Sequence, residues 1–167
     1  MLIRLATQSD FPSLRAVELA SFETLRSAAA VSGAPSASTD EELQLYLDHD
    51  LLYAGCNPAG AIVGYCGGYV TEDLLHIGEM DVHPDWQRKG FGRELLTTLI
   101  DEGRTRRLKG ATLTTDRFAP FNAPFYTSMG FQLVEKEACS PRLKKILEAE
   151  VAKGLDPLRR VGMVLMF

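Results

Sequence analysis

The stretch QRKGFG, at positions 87 to 92, constrains the fold of this chain more than any other feature. It follows a strand-like segment that Pro84 stops, and it precedes an amphipathic segment, Arg93 to Gly103, whose apolar residues recur on one helical face. A helix N-terminus carries unpaired amides and partial positive charge, and glycine lets a ligand approach that backbone closely. The stretch therefore predicts a phosphate or pyrophosphate site at the start of a helix.

Other phosphate-binding motifs fit this stretch poorly. The dinucleotide-binding fingerprint needs a third glycine at the position where this chain has Leu95. A P-loop needs Gly-Lys followed by Ser or Thr, and that pattern is absent here. A tight turn with charged surface residues is the alternative that the local pattern leaves open.

Hydrophobic periodicity and turn residues divide the rest of the chain into short strands and helices. Predicted strands cover 2–6, 51–56, 61–70, 74–82, 111–115, 131–135 and 161–167. Predicted helices cover 11–26, a segment opened by a capping box of Thr39 and Glu42, 93–103, a short piece of 122–131, and 141–153. The order predicts a single α/β (α+β) domain over residues 1–167, with a mixed sheet of about six to seven strands flanked by helices.

Composition excludes several classes of protein. The 167 residues are 46% hydrophobic and 24% charged, and their net charge of −4 argues against wholesale nucleic-acid binding. We expect no membrane association, because no apolar run approaches a membrane span and the N-terminus lacks a signal-peptide pattern. Cys56, Cys66 and Cys139 predict free thiols in a reducing cytoplasm, and the histidines have no metal-binding spacing.

Two longer segments resemble a known family. DVHPDWQRKGFGRELL (81–96) resembles the acetyl-CoA-binding signature of the GNAT superfamily of N-acetyltransferases, in which Gln or Arg precedes a Gly-x-Gly or Gly-x-Ala pair between a central strand and a helix. NAPFYTSMGF (122–131) resembles the second signature of that family, Asn-x-x-x-Tyr-x-x-x-Gly-Phe. The resemblance covers residues 61 to 135 well and the two ends only in element order.

The resemblance implies a GNAT-like fold, with a central strand that splays from its neighbour at a bulge, and acetyl-CoA as cosubstrate. The pantetheine arm would lie along the backbone of the strand, and the pyrophosphate would lie on the amides that follow it. The residues expected to bind the cosubstrate are Met80, Asp81, Val82, Gln87, Arg88, Lys89, Gly90, Phe91, Gly92, Arg93 and Asn122.

The implied reaction transfers an acetyl group from the thioester directly to a primary amine. By resemblance, Tyr126 is the general acid that meets the leaving thiolate; the alternative is an aromatic residue of the core. Asn122 either hydrogen-bonds the cosubstrate or caps its helix. No cysteine lies in either signature, which argues against an acyl-enzyme.

The strand LLHIGEMDV holds the candidates for the base that deprotonates the amine. Regular alternation would place His76, Gly78 and Met80 on one face and Glu79 and Asp81 on the other. A bulge expected near Met80 would break this alternation and turn Glu79 or Asp81 toward the cleft. We favour Glu79, with His76 next because its ordinary pKa is near neutral. A water relay with no side-chain base is the alternative.

The signatures do not identify the amine acceptor, which could be a small molecule or a peptide. We expect it between the N-terminal helices (11–48) and the late segment (135–160), whose acidic residues would suit a cationic amine. Those residues include Glu23, Glu41, Glu42, Glu148 and Glu150. Two other functions fit the same fold: a non-catalytic acyl-CoA-binding or regulatory module, and a protein-interaction domain without a cofactor. A homodimer is compatible with each.

Overall fold

A computed structural model describes residues 1–167 as an open sheet of seven strands with helices on both faces. The strands are β1 (Leu2–Leu5), β2 (Leu52–Cys56), β3 (Ile62–Thr71), β4 (Leu74–Val82), β5 (Gly110–Asp116), β6 (Gln132–Val134) and β7 (Arg160–Met166). The helices are α1 (Phe11–Ser27), α2 (Asp40–Asp48), α3 (Phe91–Thr105), α4 (Ala123–Ser128) and α5 (Pro141–Ala152). No helix is both long enough and apolar enough to cross a membrane. The mixed, helix-flanked sheet predicted from the sequence is confirmed.

The strand order is β1-β2-β3-β4-β5-β7-β6. Strands β1 to β4 form an antiparallel meander, whereas β4 and β5 are parallel and are joined through α3. The parallel pair is short, because only Leu75 with Ala111 and His76 with Thr112 are in register. The two strands separate beyond these residues, so the splay that the family resemblance implied lies at the centre of the sheet.

Two apolar clusters cover the two faces of the sheet. On one face, α3 and α4 pack on the sheet through an 18-residue cluster that includes Leu95, Leu99 and Tyr126. On the other face, α1 and α2 pack through a nine-residue cluster that includes Leu14 and Tyr46. Helix α5 lies between β6 and β7 in the chain and packs through a smaller cluster beside β5 and β7. The splay is therefore enclosed by α3 and α4 on one side and by α1, α2 and α5 on the other.

The bulge in β4 lies at Gly78, two residues before its predicted position. Gly67 pairs with Glu79 and Gly68 pairs with Ile77, which leaves Gly78 as the extra residue. The ring of Tyr46 occupies the space that a Cβ at Gly67 or Gly78 would fill. Two bare glycines and a large ring thus favour the bulge at this point.

The bulge breaks the regular alternation of β4, as the sequence analysis expected of a bulge in this strand. Met80 and Val82 join Leu75 and Ile77 in the cluster on the α3 face. His76, Glu79 and Asp81 consequently lie together on the face covered by α1, α2 and α5. One inserted residue is enough for this change, because a shift of one residue exchanges the two faces of a strand.

Candidate active site

The loop between β4 and α3 places free amides at the start of a helix. Gly90 is the N-cap of α3 and has a φ of +91°, in the left-handed region that favours glycine. The first helical hydrogen bond runs from the amide of Glu94 to the carbonyl of Gly90. The amides of residues 91 to 93 are therefore free of helical partners, as the predicted anion site requires.

Gly92 has a different role from Gly90. A Cβ added at Gly92 would lie 3.8–4.0 Å from Val82, Phe125 and Met80, which is ordinary van der Waals contact. The protein's own packing therefore does not require a glycine at this position. A residue without a side chain in the first turn of α3 leaves the backbone open to a ligand.

The polar side chains around this loop divide into two groups. Gln87 donates from Nε2 to the carbonyl of Val82 at 2.9 Å, which ties the loop to the end of β4. The guanidinium of Arg93 contacts α4 instead, and its Nη2 donates to the hydroxyl of Ser128 at 3.1 Å. Arg88 and Lys89 are exposed, and the ammonium of Lys89 lies 4.8 Å from the ring centroid of Trp86. The predicted positive charge at the loop thus comes chiefly from positions 88 and 89.

The splay leaves one backbone edge of β4 open. Met80, Asp81 and Val82 pair with β3 on one side, whereas β5 pairs with β4 only as far as His76. The other edge of these three residues can hydrogen-bond an extended chain inserted between the strands.

Tyr126 lies beside this gap on the α3 face. It is 8% exposed and contacts the rings of Phe125 and Phe131. Burial raises the pKa of Tyr126 above its ordinary value of 10, and the nearby carboxyls of Glu79 and Asp81 raise it further. The phenol is therefore a hydrogen-bond donor throughout the neutral range.

Asn122 precedes α4 and does not cap it with its side chain. Asn122 therefore occupies the N-cap position and accepts from the amide of Tyr126 through its carbonyl, but its side chain makes no capping hydrogen bond. Its Nδ2 donates to the hydroxyl of Thr115 at 2.9 Å, while its Oδ1 is buried without a hydrogen-bond partner. A buried acceptor without a partner is costly, so this atom fits an amide donor from a ligand in the gap.

Three carboxyl groups meet on the opposite face of the gap. The carboxylate oxygens of Glu18, Glu79 and Asp81 lie within 4.8 Å of one another. Asp81 is 8% exposed and accepts a short hydrogen bond from the hydroxyl of Ser21, whereas its Oδ2 has no partner. Glu79 keeps partial access to solvent.

Ionisation of all three acids together is disfavoured, because they are buried and repel one another. Burial raises the pKa of Glu79 well above 4.5, and Asp81 and Glu18 add to the effect. Burial also raises the pKa of Asp81 to about 6, although the hydrogen bond from Ser21 opposes the shift. The three carboxyls are therefore expected to lose their protons as a coupled group, at a higher pH than isolated carboxyls do.

Glu18 is the functional candidate that the sequence analysis missed. Its carboxylate accepts from the hydroxyl of Tyr65 at 2.9 Å and from the amide of Ser38 at 2.9 Å. It lies on α1 between the buried residues Leu14 and Ser21. An acidic residue on the apolar stripe of an amphipathic helix is the signal that could have revealed it.

Most of the acidic residues that the sequence suggested for the acceptor have local partners, although the charge of Glu42 adds to the burial that raises the pKa of Glu18 and Glu79. Glu42 belongs to the capping box of α2, and Glu150 pairs with Arg160 at 3.0 Å. Glu23 and Glu148 pair with Arg26 and Lys136 on the surface, and Glu41 is exposed. Long charged side chains on helix surfaces pair with nearby residues, and sequence spacing does not reveal which residues those are.

His76 has a different environment from Glu79, although both lie on the same face of β4. Arg142 of α5 donates from Nη1 to His76 Nδ1 at 3.1 Å, and the hydroxyl of Thr112 lies 3.0 Å from the same nitrogen. Burial lowers the pKa of His76 to about 3, and the charge of Arg142 adds to the effect. This imidazole is neutral and its Nδ1 is occupied, which disfavours it as the base.

The three cysteines are free and buried. The Sγ of Cys66 lies 3.4 Å from the carbonyl of Leu95, and burial raises the pKa of this thiol above its ordinary value. A buried thiol of raised pKa is a poor nucleophile, in line with the prediction that no cysteine forms an acyl-enzyme.

Comparison with known proteins agrees with this geometry. Residues 19–131 match the model of the acetyltransferase (GNAT) family. The ribosomal-protein-S18-alanine N-acetyltransferase from Escherichia coli is 18% identical with a TM-score of 0.68, over 99% of this chain and 92% of that one. The PaiA N-acetyltransferase from Thermoplasma acidophilum, solved with coenzyme A, is 12% identical with a TM-score of 0.74, over 99% and 98% of the two chains.

A third similar structure belongs to a longer protein. N-acetylglutamate synthase from Neisseria gonorrhoeae, solved with coenzyme A and N-acetyl-glutamate, is 17% identical with a TM-score of 0.72. The match covers 99% of this chain and 34% of the synthase. At these identities the solved structures establish the fold, whereas the family model establishes the family.

The open edge of β4, the glycine loop and the family model agree with one another, and acetyl-CoA is the cosubstrate that fits them. This chain belongs to the acetyltransferase (GNAT) family and is an acyltransferase enzyme.

Proposed function

We propose that this enzyme transfers the acetyl group of acetyl-CoA directly to a primary amine of a small molecule or a peptide. One observation carries the proposal: the gap between β4 and β5 has a buried phenol on one face and a carboxyl cluster on the other. Acetyl transfer to an amine needs a donor at the leaving sulfur and an acceptor for the ammonium proton. In this proposal the phenol is the donor, and the carboxyl cluster is the acceptor.

Glu79 is the proposed base. An ammonium has no free electron pair, so it must lose a proton before it attacks the thioester. The raised pKa of Glu79 brings this carboxylate closer to neutral pH, where a general base is most effective. Asp81 is more deeply buried than Glu79 and accepts a hydrogen bond from Ser21. We therefore assign it the role of raising the pKa of Glu79 further.

Tyr126 is the proposed donor to the thiolate of coenzyme A. Ordinary pKa values of about 10 for a phenol and about 8.5 for a thiol make full proton transfer uphill by roughly 2 kcal/mol. Burial makes the transfer harder still, because it raises the pKa of Tyr126 further. We therefore propose that Tyr126 stabilises the leaving thiolate chiefly through a hydrogen bond.

The residues around the gap suit acetyl-CoA as the second substrate. The amides of Phe91, Gly92 and Arg93 would hold the pyrophosphate, with Arg88 and Lys89 adding charge. The free edge of β4 at Met80, Asp81 and Val82, together with Asn122 Oδ1, would hold the pantetheine arm. Gln87 would keep the loop in place through its bond to Val82.

The test is a panel of amines that includes aminoglycosides, polyamines, amino acids and peptides. Release of free coenzyme A thiol and the mass of the acetylated product are measured together. We expect at least one primary amine to raise thiol release above the hydrolysis background. Binding of acetyl-CoA with no amine-dependent release across the panel would favour the non-catalytic binding module instead. Light scattering of the same sample measures its molar mass and so tests whether the protein is a homodimer.

A further inference from the structure

The carboxyl cluster of Glu18, Glu79 and Asp81 has no cation of the protein to balance its charge. One carboxylate oxygen of each residue lies within 4.8 Å of those of the other two. None of the three residues forms an ion pair with an arginine, a lysine or a histidine. Carboxylates removed from water are stable only when they are paired or bound to a metal ion. The cluster must therefore take up either protons or a cation from solution.

One acceptor atom of the cluster has no partner in the protein. Asp81 is 8% exposed, and its Oδ2 is buried without a hydrogen-bond donor. The hydroxyl of Ser21 donates to the other oxygen, Oδ1, and so holds the carboxyl in this orientation. A buried acceptor without a partner is costly unless a ligand supplies one. The Asp81 carboxyl thus reaches the cluster with one oxygen still available to a ligand.

Hydrogen bonds from other elements also fix Glu18 in place. Its Oε2 accepts from the amide of Ser38 and from the hydroxyl of Tyr65, each at 2.9 Å, and its Oε1 accepts from the hydroxyl of Ser38 at 3.2 Å. Hydrogen bonds of this kind orient the carboxylates that bind a metal ion. Glu79 keeps partial access to solvent, which gives an ion a route to the cluster.

The ligand atoms and their spacing suit a hard divalent cation. All three ligands are carboxylate oxygens, which Ca²⁺, Mg²⁺ and Mn²⁺ prefer over thiols and imidazoles. Oxygen ligands lie 2.3–2.6 Å from Ca²⁺, so two ligands on opposite sides of the ion are roughly 4.6–5.2 Å apart. The three oxygens are close enough to contact one such ion. Ca²⁺ also accepts irregular geometry and bound water, whereas Mg²⁺ requires a near-ideal octahedron.

We propose that Glu18, Glu79 and Asp81 form a binding site for one divalent cation, with Ca²⁺ as the ion that fits best. Sequence spacing could not reveal this site, because α1 supplies one ligand and β4 supplies the other two. Binding of the ion is independent of the proposed function. The ion and the ammonium of an acceptor would nevertheless occupy the same oxygens, so bound Ca²⁺ should inhibit any acetyl transfer that uses Glu79 as the base.

Calorimetric titration of calcium chloride into the ligand-free protein tests the site. At about pH 8 we expect one ion per chain with a dissociation constant below about 1 mM, within the range known for Ca²⁺ sites. Burial raises the pKa of Glu79 and of Asp81, so these carboxyls must release protons when they bind the ion. Affinity should therefore be lower at about pH 6, and buffers of different ionisation enthalpy should show protons released there.

Three variants assign the binding to the cluster. Glu79→Gln and Glu18→Gln should each weaken Ca²⁺ binding by at least about tenfold, because a charged ligand becomes neutral. Each variant keeps the shape of the side chain and one acceptor oxygen, and thermal melts check that both proteins fold. Glu23→Gln, exposed on α1, makes the same change in net charge and should keep the affinity of the wild-type protein.

Absence of Ca²⁺ binding, equal affinity in the wild-type protein and both cluster variants, or binding without proton release at about pH 6 would overturn the inference. Failure of the proposed function has a different signature, in which no amine of the panel releases thiol while calorimetry still shows the bound ion. For an amine that the panel does identify, Ca²⁺ should raise KM for the amine and not KM for acetyl-CoA. Turnover that is unaffected by bound Ca²⁺ would remove Glu79 as the base and leave the ion site in place.

Discussion

The two sides of the β4–β5 gap are built in different ways. The proposed cosubstrate side is built mainly from backbone groups of neighbouring residues: the end of β4, the glycine loop and the first turn of α3. The proposed acceptor side has side chains from separate elements, namely Glu18 on α1, Glu79 on β4 and Arg142 on α5. A common ligand can be recognised by a short contiguous motif, whereas a particular acceptor needs side chains that the fold brings together.

Removing one hydroxyl should affect turnover far more than binding. Tyr126→Phe should keep the affinity for coenzyme A and lower kcat by about 10²–10⁴-fold, because the donor to the leaving thiolate is lost. Isothermal titration and stopped-flow thiol release measure the two quantities. Tyr53→Phe, which alters a half-buried tyrosine away from the gap, is the matched control. Unchanged turnover, with chemistry shown to be rate-limiting, would remove Tyr126 from the mechanism.

Loss of the base should act on the acceptor side alone. Glu79→Gln should lower kcat/KM for the amine by about 100-fold and remove the acidic limb of the pH profile. In the wild-type protein the rate should rise with pH through a pKa above 4.5, because burial raises the pKa of Glu79. Steady-state kinetics from pH 5 to pH 9 measure this limb.

Glu23→Gln, on the exposed surface of α1, should keep both the rate and the limb. His76→Gln should keep the limb as well, since its Nδ1 is occupied by Arg142. Persistence of the limb in Glu79→Gln would point to a water relay.

A side chain in the glycine loop should act on the cosubstrate side alone. Gly92→Val should weaken coenzyme A binding by at least about tenfold, because its side chain would cover amides that face the anion. The stability of the ligand-free protein should change little, since an added Cβ makes ordinary contacts and valine is no worse than glycine in a helix. Thr97→Val, exposed on the same helix, is the control. Normal coenzyme A affinity in Gly92→Val would refute the pyrophosphate site.

The smallest expected effect is on stability. A carboxyl whose pKa is raised in the folded state contributes stability below its unfolded pKa, and that contribution is lost as the pH rises through the folded pKa. Ionised Glu79 is therefore costly at pH 8, and Glu79→Gln should be more stable there by about 1 kcal/mol, or roughly 2–4 °C in Tm. The gain should fade toward pH 5 in thermal melts across this range. A stability gain of the same size at every pH would contradict this prediction, because it would not come from the ionisation of Glu79.

The sequence by itself determined the elements, and it supplied the predicted cosubstrate residues and Tyr126. Periodicity located the helices and strands to within a few residues, and local physics explains why: caps such as Thr39, and turn residues such as Gly90, act over one helical turn. The predicted cosubstrate residues from Met80 to Arg93 are close in sequence, so strand and helix geometry alone brings them together, whereas Asn122 reaches them only through the fold. Their roles in binding and catalysis stay predictions until the variants are measured.

Tertiary structure decided the arrangement of the proposed acceptor side. The bulge at Gly78 depends on Tyr46, which is 32 residues away in sequence, and this bulge places His76 and Glu79 on one face. Arg142 then contacts one nitrogen of His76, while burial, together with Asp81 and Glu18, raises the pKa of Glu79. Burial and charge set which of two plausible bases can take a proton, and both arise from residues that meet only when the sheet and its helices pack.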